Sequence, residues 1–221
     1  MALEKELKYG LTESEYKKIL RSLRSHIKSR EQQDNYYLDN PRLRLRSKKI
    51  GLRVRITNRR HATLTLKQSF TPAGKAGPRA LKVRKEWEYP LPLGAARAVL
   101  RDPQKVLRLN NPIPVILRQQ IKKNHWEKLV VLGCLSNLRY TATPHPKFKI
   151  EVDHYKLFSK DYYEIELEST RPREADIWLR AWLQERGIEL HPRRTSKLRR
   201  FLLELKKSQA IERKKHRRKK K

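Results

Sequence analysis

Short alternating segments dominate the chain. Between Gly51 and Thr57, Leu52, Val54 and Ile56 fall on one side of a strand and Arg53 and Arg55 on the other. Ala62 to Gln68 repeats the pattern, with Leu64 and Leu66 opposite Thr63, Thr65 and Lys67. From Leu81 to Tyr89, Leu81, Val83, Trp87 and Tyr89 share one face, and Lys82, Arg84, Glu86 and Glu88 the other. Near the start, Glu4, Glu6 and Lys8 point one way with Leu3 and Leu7 behind them. Lys128 to Thr143 is a long apolar strand that carries Arg139. Lys147 to Asp153 sets Lys147, Lys149, Glu151 and Asp153 on one face. Asp161 to Ser169 sets Glu164, Glu166 and Glu168 against Tyr163, Ile165 and Leu167. Gln33 to Leu38 reads as a further strand, stopped by Asp39-Asn40-Pro41.

Helical periods lie between these strands. Thr12 is an N-cap with Glu15 completing a capping box, and Tyr16, Ile19, Leu20, Leu23 and Ile27 form the apolar stripe that follows. Leu93 to Ile121 reads as short helices broken at Pro103 and Pro112. Arg173 to Gln184 is a helix with Trp178 and Trp182 one turn apart, a core pair rather than a base-stacking site. Thr195 to Leu205 is another, opening on Thr195-Ser196-Lys197. The Pro/Gly-rich stretch Thr71 to Pro78 is a loop. The organisation expected is one α+β domain over residues 1–209 and a basic, disordered tail over 210–221.

An open sheet with one wet face satisfies the alternation. Two features favour a closed eight-stranded antiparallel barrel with a charged lumen and helices outside it. Charges are segregated by sign, as Glu4/Glu6, Glu86/Glu88 and Glu164/Glu166 against Arg53/Arg55 and Lys147/Lys149. The residues opposite them are Trp, Val, Ile and Leu, which need covering, and amphipathic helices are at hand. About eight strands enclose room for one small ligand. A dry charged lumen is costly, so water, metal and a polyanion are its expected contents.

Composition sharpens this picture. The chain has 221 residues, 37% of them hydrophobic, enough for a core. The net charge is +32, and the eight Lys or Arg of Arg213–Lys221 leave +24 on the rest. A positive surface or cavity that attracts phosphate polyanions follows. The one cysteine, Cys134, sits in an apolar run and reads as a buried hydrophobe. No disulfide or Cys/His metal framework is possible, which suits a reducing cytoplasm. The charged N-terminus is not that of a signal peptide, no run is long enough to span a membrane, and the seven His have no ligand spacing. There is no Walker loop, Rossmann fingerprint or repeat.

The order of motifs resembles the CYTH superfamily, also called the triphosphate tunnel metalloenzymes, over nearly all of the chain outside the tail. Glu4-Lys-Glu-Leu-Lys8 is similar to its E-x-E-x-K opening, Gln33–Asp39 to its second strand, Gly51-Leu-Arg-Val-Arg55 to its L-R-x-R strand and Leu64-Thr-Leu-Lys67 to its T-L-K strand. Glu86-Trp-Glu88, Val152-Asp153, Tyr163–Glu168 and Ser196-Lys197 continue the series. Leu135-Ser-Asn-Leu-Arg139 is closer to a poorly characterised bacterial subgroup, because Asn137 stands where many members have Lys.

The resemblance implies a tunnel that binds a triphosphate and a divalent cation, Mg²⁺ or Mn²⁺. Glu4, Glu6, Glu164 and Glu166 become the metal candidates, with Glu168 nearer the rim. Arg53, Arg55, Lys67 and Arg139 would grip phosphate oxygens, with Lys147 or Lys149 as replacements for the missing base. Lys8 either reaches the phosphates or neutralises the glutamates. Glu86, Glu88, Asp153 and Lys8 are the catalytic candidates, the first three to hold a second metal and the water it activates, and Lys197 closes one mouth. The implied reaction is in-line attack of water on the terminal phosphorus, with bases and metal offsetting the charge of the departing oxygen. Asp39 reads as a turn cap, Lys75, Lys82 and Arg84 as rim charges, and Arg193 and Arg194 as extensions of the phosphate site. Other readings stay open: a class IV adenylyl cyclase, or a non-catalytic module for polyphosphate or RNA held by the basic surface and tail.

Overall fold

The protein's structure, a computed structural model, describes residues 2–69, 81–120, 128–189, 191–192 and 195–218, with the side chains of 2–4, 82 and 208–218 outside that description. Nine strands form one sheet: β1 (Ala2–Leu11), β2 (Ile27–Asp39), β3 (Ile50–Thr57), β4 (His61–Ser69), β5 (Leu81–Leu91), β6 (Val130–His145), β7 (Phe148–Leu157), β8 (Lys160–Glu168) and the two-residue β9 (His191–Pro192). The order is β5-β4-β3-β2-β6-β7-β8-β1-β9, and β5 also pairs with β1. That pairing runs antiparallel from Ala2↔Glu86 to Leu7↔Leu81 and shuts the ring of eight. Beyond the end of β5, β9 extends the same edge of β1 at Tyr9 and Gly10. The expected closed antiparallel barrel is therefore present.

Helices cover the apolar outer face. α1 (Glu13–Ser22) and α5 (Pro172–Gln184) lie over β1, β7 and β8, where Leu7, Tyr9, Ile19, Ile165, Leu167 and Leu179 are fully buried. α3 (Leu93–Arg101) and α4 (Ile113–Gln120) lie over β3 and β4, burying Val54, Leu64, Leu66, Val99 and Leu117. The Thr12–Glu15 capping box forms, Glu15 N–H donating to Thr12 Oγ1 at 3.2 Å and Thr12 N–H to Glu15 Oε2 at 2.7 Å. Trp178 and Trp182 pack against the core as expected.

Two boundaries differ from the sequence reading. α1 ends at Ser22, and Ile27 opens β2 instead of closing a helical stripe. The long β6 supplies the reason: it pairs with β2 from Ile27↔Ala142 to Asp39↔Val130, so residues 27–32 gain strand partners. α2 (Arg44–Ser47) is an unforeseen single turn, held by Asp39, whose carboxylate accepts N–H bonds from Asn40, Leu45 and Arg46 at 2.8, 2.9 and 2.9 Å. At the other end, α6 (Lys197–Arg218) runs as a helix through residues assigned to the tail.

The first turns of α6 stopper the barrel. Phe201 and Leu202 join Tyr37, Leu135, Tyr155 and Leu157 in a buried cluster, with Leu198 and Leu205 against it. Glycines make the seat. A Cβ on Gly133, where φ is +152°, would lie 2.5 Å from Phe201 Cζ, and one on Gly51 would lie 3.2 Å from Leu198 Cδ2. Gly133→Ala is therefore expected to cost about 1–3 kcal/mol by overpacking and to raise hydrogen exchange in residues 197–205. A melting curve and exchange pattern like the wild type's would refute the seat.

Candidate active site in the tunnel

Alternation along the strands places one ionisable set inside. β1 contributes Glu6 and Lys8, β3 Arg53 and Arg55, β4 Thr65 and Lys67, β5 Arg84, Glu86 and Glu88, β6 Asn137 and Arg139, β7 Glu151 and Asp153, and β8 Glu164 and Glu166. In ring order, β3 lies four strands from β8 either way, so Arg53 and Arg55 stand across the bore from Glu164 and Glu166.

The acidic wall is fully engaged. Lys8 Nζ lies 3.3 Å from Glu6 Oε1 and 3.2 Å from Glu164 Oε2, and also pairs with Glu166. Burial alone would lower its pKa, but Glu164, Glu166 and Glu6 outweigh that and hold it well above the ordinary lysine value. Arg139 Nη2 reaches Asp153 Oδ2 at 2.6 Å and Glu166 Oε2 at 2.7 Å, and Nη1 pairs with Glu151. From α6, Lys197 Nζ donates to Asp153 Oδ2 and Glu166 Oε1, both at 2.6 Å, and Arg200 Nη1 to Glu164 Oε1 at 2.6 Å. Against the opposing effect of burial, Arg139 and Lys197 bring Asp153 down to about 2, and Lys197 and Lys8 hold Glu166 well below the carboxylate range. Folded values below unfolded ones mean that these carboxylates stabilise the fold above about pH 4, and that this is lost as pH falls toward about 2. Acid titration should give a steep unfolding transition in that window, and Asp153→Asn should blunt it.

The opposite wall is less satisfied. Lys67 Nζ pairs with Glu86 Oε2 at 3.1 Å, and Arg53 Nη2 lies 3.9 Å from Glu88 Oε2, which also accepts from Thr65 Oγ1 at 2.8 Å. Arg55 differs from every other described base in the bore. Its Nε donates to the Asn35 amide oxygen at 3.0 Å, and among the described residues no carboxylate is within salt-bridge range. Burial, with Arg53 and Arg139 adding to it, pushes its pKa down to about 9.

The sequence candidates sort accordingly. Glu6, Lys8, Asp153, Glu164, Glu166, Arg139 and Lys197 form one network, and Arg53, Arg55, Lys67, Glu86 and Glu88 line the other wall. Lys147 and Lys149 do not join them. Lys147 lies in an exposed turn 3.6 Å from Glu174 of α5, and Lys149 is exposed beside Glu151 at 3.5 Å. Arg84 is no rim charge, since it bonds Glu6 inside the barrel with its side chain 14% exposed. Glu4 and Lys82 lie in strands, but their side chains fall outside the described residues, as do Lys75, Arg193 and Arg194 altogether. Sequence reasoning missed Arg200, Asn35 and Glu151 as parts of the site. Glu151 shares a strand face with Asp153, and Arg200 follows Lys197 by one helical turn, so both signals were present.

Glu6, Glu164 and Glu166 already share a cation, the Lys8 ammonium. Their hard oxygens suit magnesium or manganese in donor type. Among the described residues no three acidic or His/Cys side chains stand close enough on their own to hold a metal. Were a metal ion bound, Glu6, Glu164 and Glu166 would hold it in competition with the Lys8 ammonium, and it would supply positive charge to their oxygens.

A closed β-tunnel whose bore carries opposed acidic and basic walls defines the class. The chain belongs to the CYTH family: a CYTH domain family model matches residues 2–202. That family includes triphosphatases, and its tunnel enzymes are generally dependent on a divalent metal. Among solved structures, the fold is similar to HpAC1 from Hippeastrum, named for adenylyl cyclase and described by a dominant triphosphatase activity, at TM-score 0.80 and 23% identity over 90% of this chain and 94% of that one. It is also similar to a protein of Bacillus halodurans named for adenylate cyclase, at TM-score 0.71 and 22% identity over 91% and 99%. A third is PH1819 from Pyrococcus horikoshii, at TM-score 0.55 and 18% identity over 90% and 98%. No curated protein matches the chain. Among the described residues no helix is long and apolar enough to cross a membrane.

Proposed function

We propose that this chain is a metal-dependent triphosphatase of the cytoplasm, removing the terminal phosphate of inorganic triphosphate or of a nucleoside or other organic triphosphate inside the tunnel. Arg55 carries the reading. A partly buried guanidinium whose one hydrogen-bond partner is a neutral amide, and whose pKa is depressed, lacks a paired anion. A phosphate oxygen supplies one, and Arg53 beside it completes a two-arginine grip.

The residues divide the work by position. Arg53, Arg55 and Lys67 bind and orient the phosphate chain from the β3–β4 wall. Glu6, Glu164 and Glu166 would hold Mg²⁺ or Mn²⁺ across the bore, together with Glu4. The metal, when bound, neutralises phosphate charge. Asp153, held to about 2, is a poor proton acceptor and serves to position Arg139 and Lys197. Glu88, exposed and bonded to Thr65, is the better acceptor for the proton of the attacking water, with Glu86 beside Lys67 next in line.

The test is incubation of the purified protein with tripolyphosphate and with ATP, each with Mg²⁺ or Mn²⁺, while orthophosphate and cyclic AMP are measured. Orthophosphate release that falls about 10²–10³-fold in Glu6→Gln is expected. Cyclic AMP as the main product would establish the cyclase reading instead. Absence of both products from all combinations would overturn catalysis.

A further inference from the structure

The tunnel does not account for the charge of this protein. Of the described bases that reach the bore, each except Arg55 meets a carboxylate. The bore is thus nearly balanced, and most of the +32 lies outside it. Outside, one region stands apart. Residues 41–49 hold five bases and no acid. Asp39, next to them, is buried and spends its oxygens on backbone N–H groups of Asn40, Leu45 and Arg46. Its role is to fix α2, which displays the arginines.

That display abuts α6. Leu43 packs in the cluster with Leu198 and Leu205. Burial and the field of Arg199 lower the pKa of Arg46, and Asp39 offsets this only in part. Arg44 Nε is buried with no acceptor among the described residues. Lys48 and Lys49 after α2, and Arg199 and Lys206 on α6, are exposed. Like charges on a fixed platform cost stability, and a partner that brings phosphates offsets the cost.

We propose that residues 42–49 and the exposed side of α6 over residues 199–206 form a ledge that docks the phosphodiester backbone of a nucleic acid, at the stoppered end of the barrel and apart from the tunnel. The ledge does not rest on the tunnel's reaction. It reads no sequence, because its contacts are cations and, among the described residues of the ledge, no exposed aromatic side chain stands with them.

The test uses a fluorescent RNA 20-mer with a 5′-hydroxyl, so that no triphosphate end engages the tunnel, titrated with the full chain by anisotropy from 50 to 300 mM KCl. Arg46→Gln/Lys48→Gln/Arg199→Gln should weaken binding by about 10-fold or more at 100 mM and flatten the salt slope by about 2, at roughly 0.7 per lost phosphate contact. A control on α1 that removes two charges, Lys18→Gln/Arg21→Gln, should change both far less per charge removed. If the triple variant misfolds by circular dichroism, Lys48→Glu/Arg199→Glu, at two exposed positions, replaces it. Equal loss per charge in the control would mean a diffuse field and overturn the ledge. No binding at 50 mM, or tighter capture by phosphatidylserine vesicles than by RNA, would overturn it too.

Discussion

Arg55→Gln is expected to lower tripolyphosphate turnover by about 10²–10³-fold while the unliganded protein melts at the same temperature or higher. The two effects have one cause. Arg55 is charged, partly buried and without a carboxylate in salt-bridge range among the described residues, so the free protein bears part of the cost of desolvating it. The sign follows from its folded pKa of about 9, below the ordinary arginine value. The unfolded chain holds that proton more tightly, so the penalty is complete below about pH 9 and fades as pH climbs past it. Bound triphosphate removes the penalty by pairing with the guanidinium. Calorimetry with and without tripolyphosphate should then show ligand stabilisation in the wild type and little in the variant. A variant that is unstable yet fully active would contradict the assignment.

Lys8→Met should have the opposite profile. The substitution leaves Glu6, Glu164 and Glu166 facing one another without their shared ammonium. Removing one member of a buried ionic cluster costs about 3–5 kcal/mol. The loss should be large at pH 7. Millimolar Mn²⁺ should restore the melting temperature of the variant more than it raises that of the wild type, because a cation bound only by the folded state stabilises it. If Mn²⁺ leaves both unmoved, these three carboxylates are not a metal site.

Much of this arrangement is legible in strand alternation. β3 and β4 present their charges at period two with apolar residues opposite, and the ring confirms each orientation. Contacts that depend on closure are not legible. Arg84 looks like a rim charge because it follows a Pro/Gly loop, yet the β5–β1 pairing carries it to Glu6, 78 residues away. Cys134 reads as buried because its neighbours are apolar. It is exposed, since it lies on an outer face shared with Ser136. Composition measures apolarity but cannot say which side of a barrel a helix will cover. Period also misleads at Ile27, where an apolar residue fits a helical stripe and a strand start equally well.

The stopper of Leu198, Phe201 and Leu202 has a kinetic consequence. A bore sealed at the bottom is a well, and on the proposed reading a linear phosphate chain would be lowered into it end first. Arg53 lies nearer the seat at Gly51 than Arg55 does, so only the leading phosphates of such a chain would reach the two arginines, and long and short chains should be shortened one unit at a time from their tips. The released orthophosphate must back out past whatever remains of its parent, which makes departure, and competition by product, the steps most sensitive to chain length.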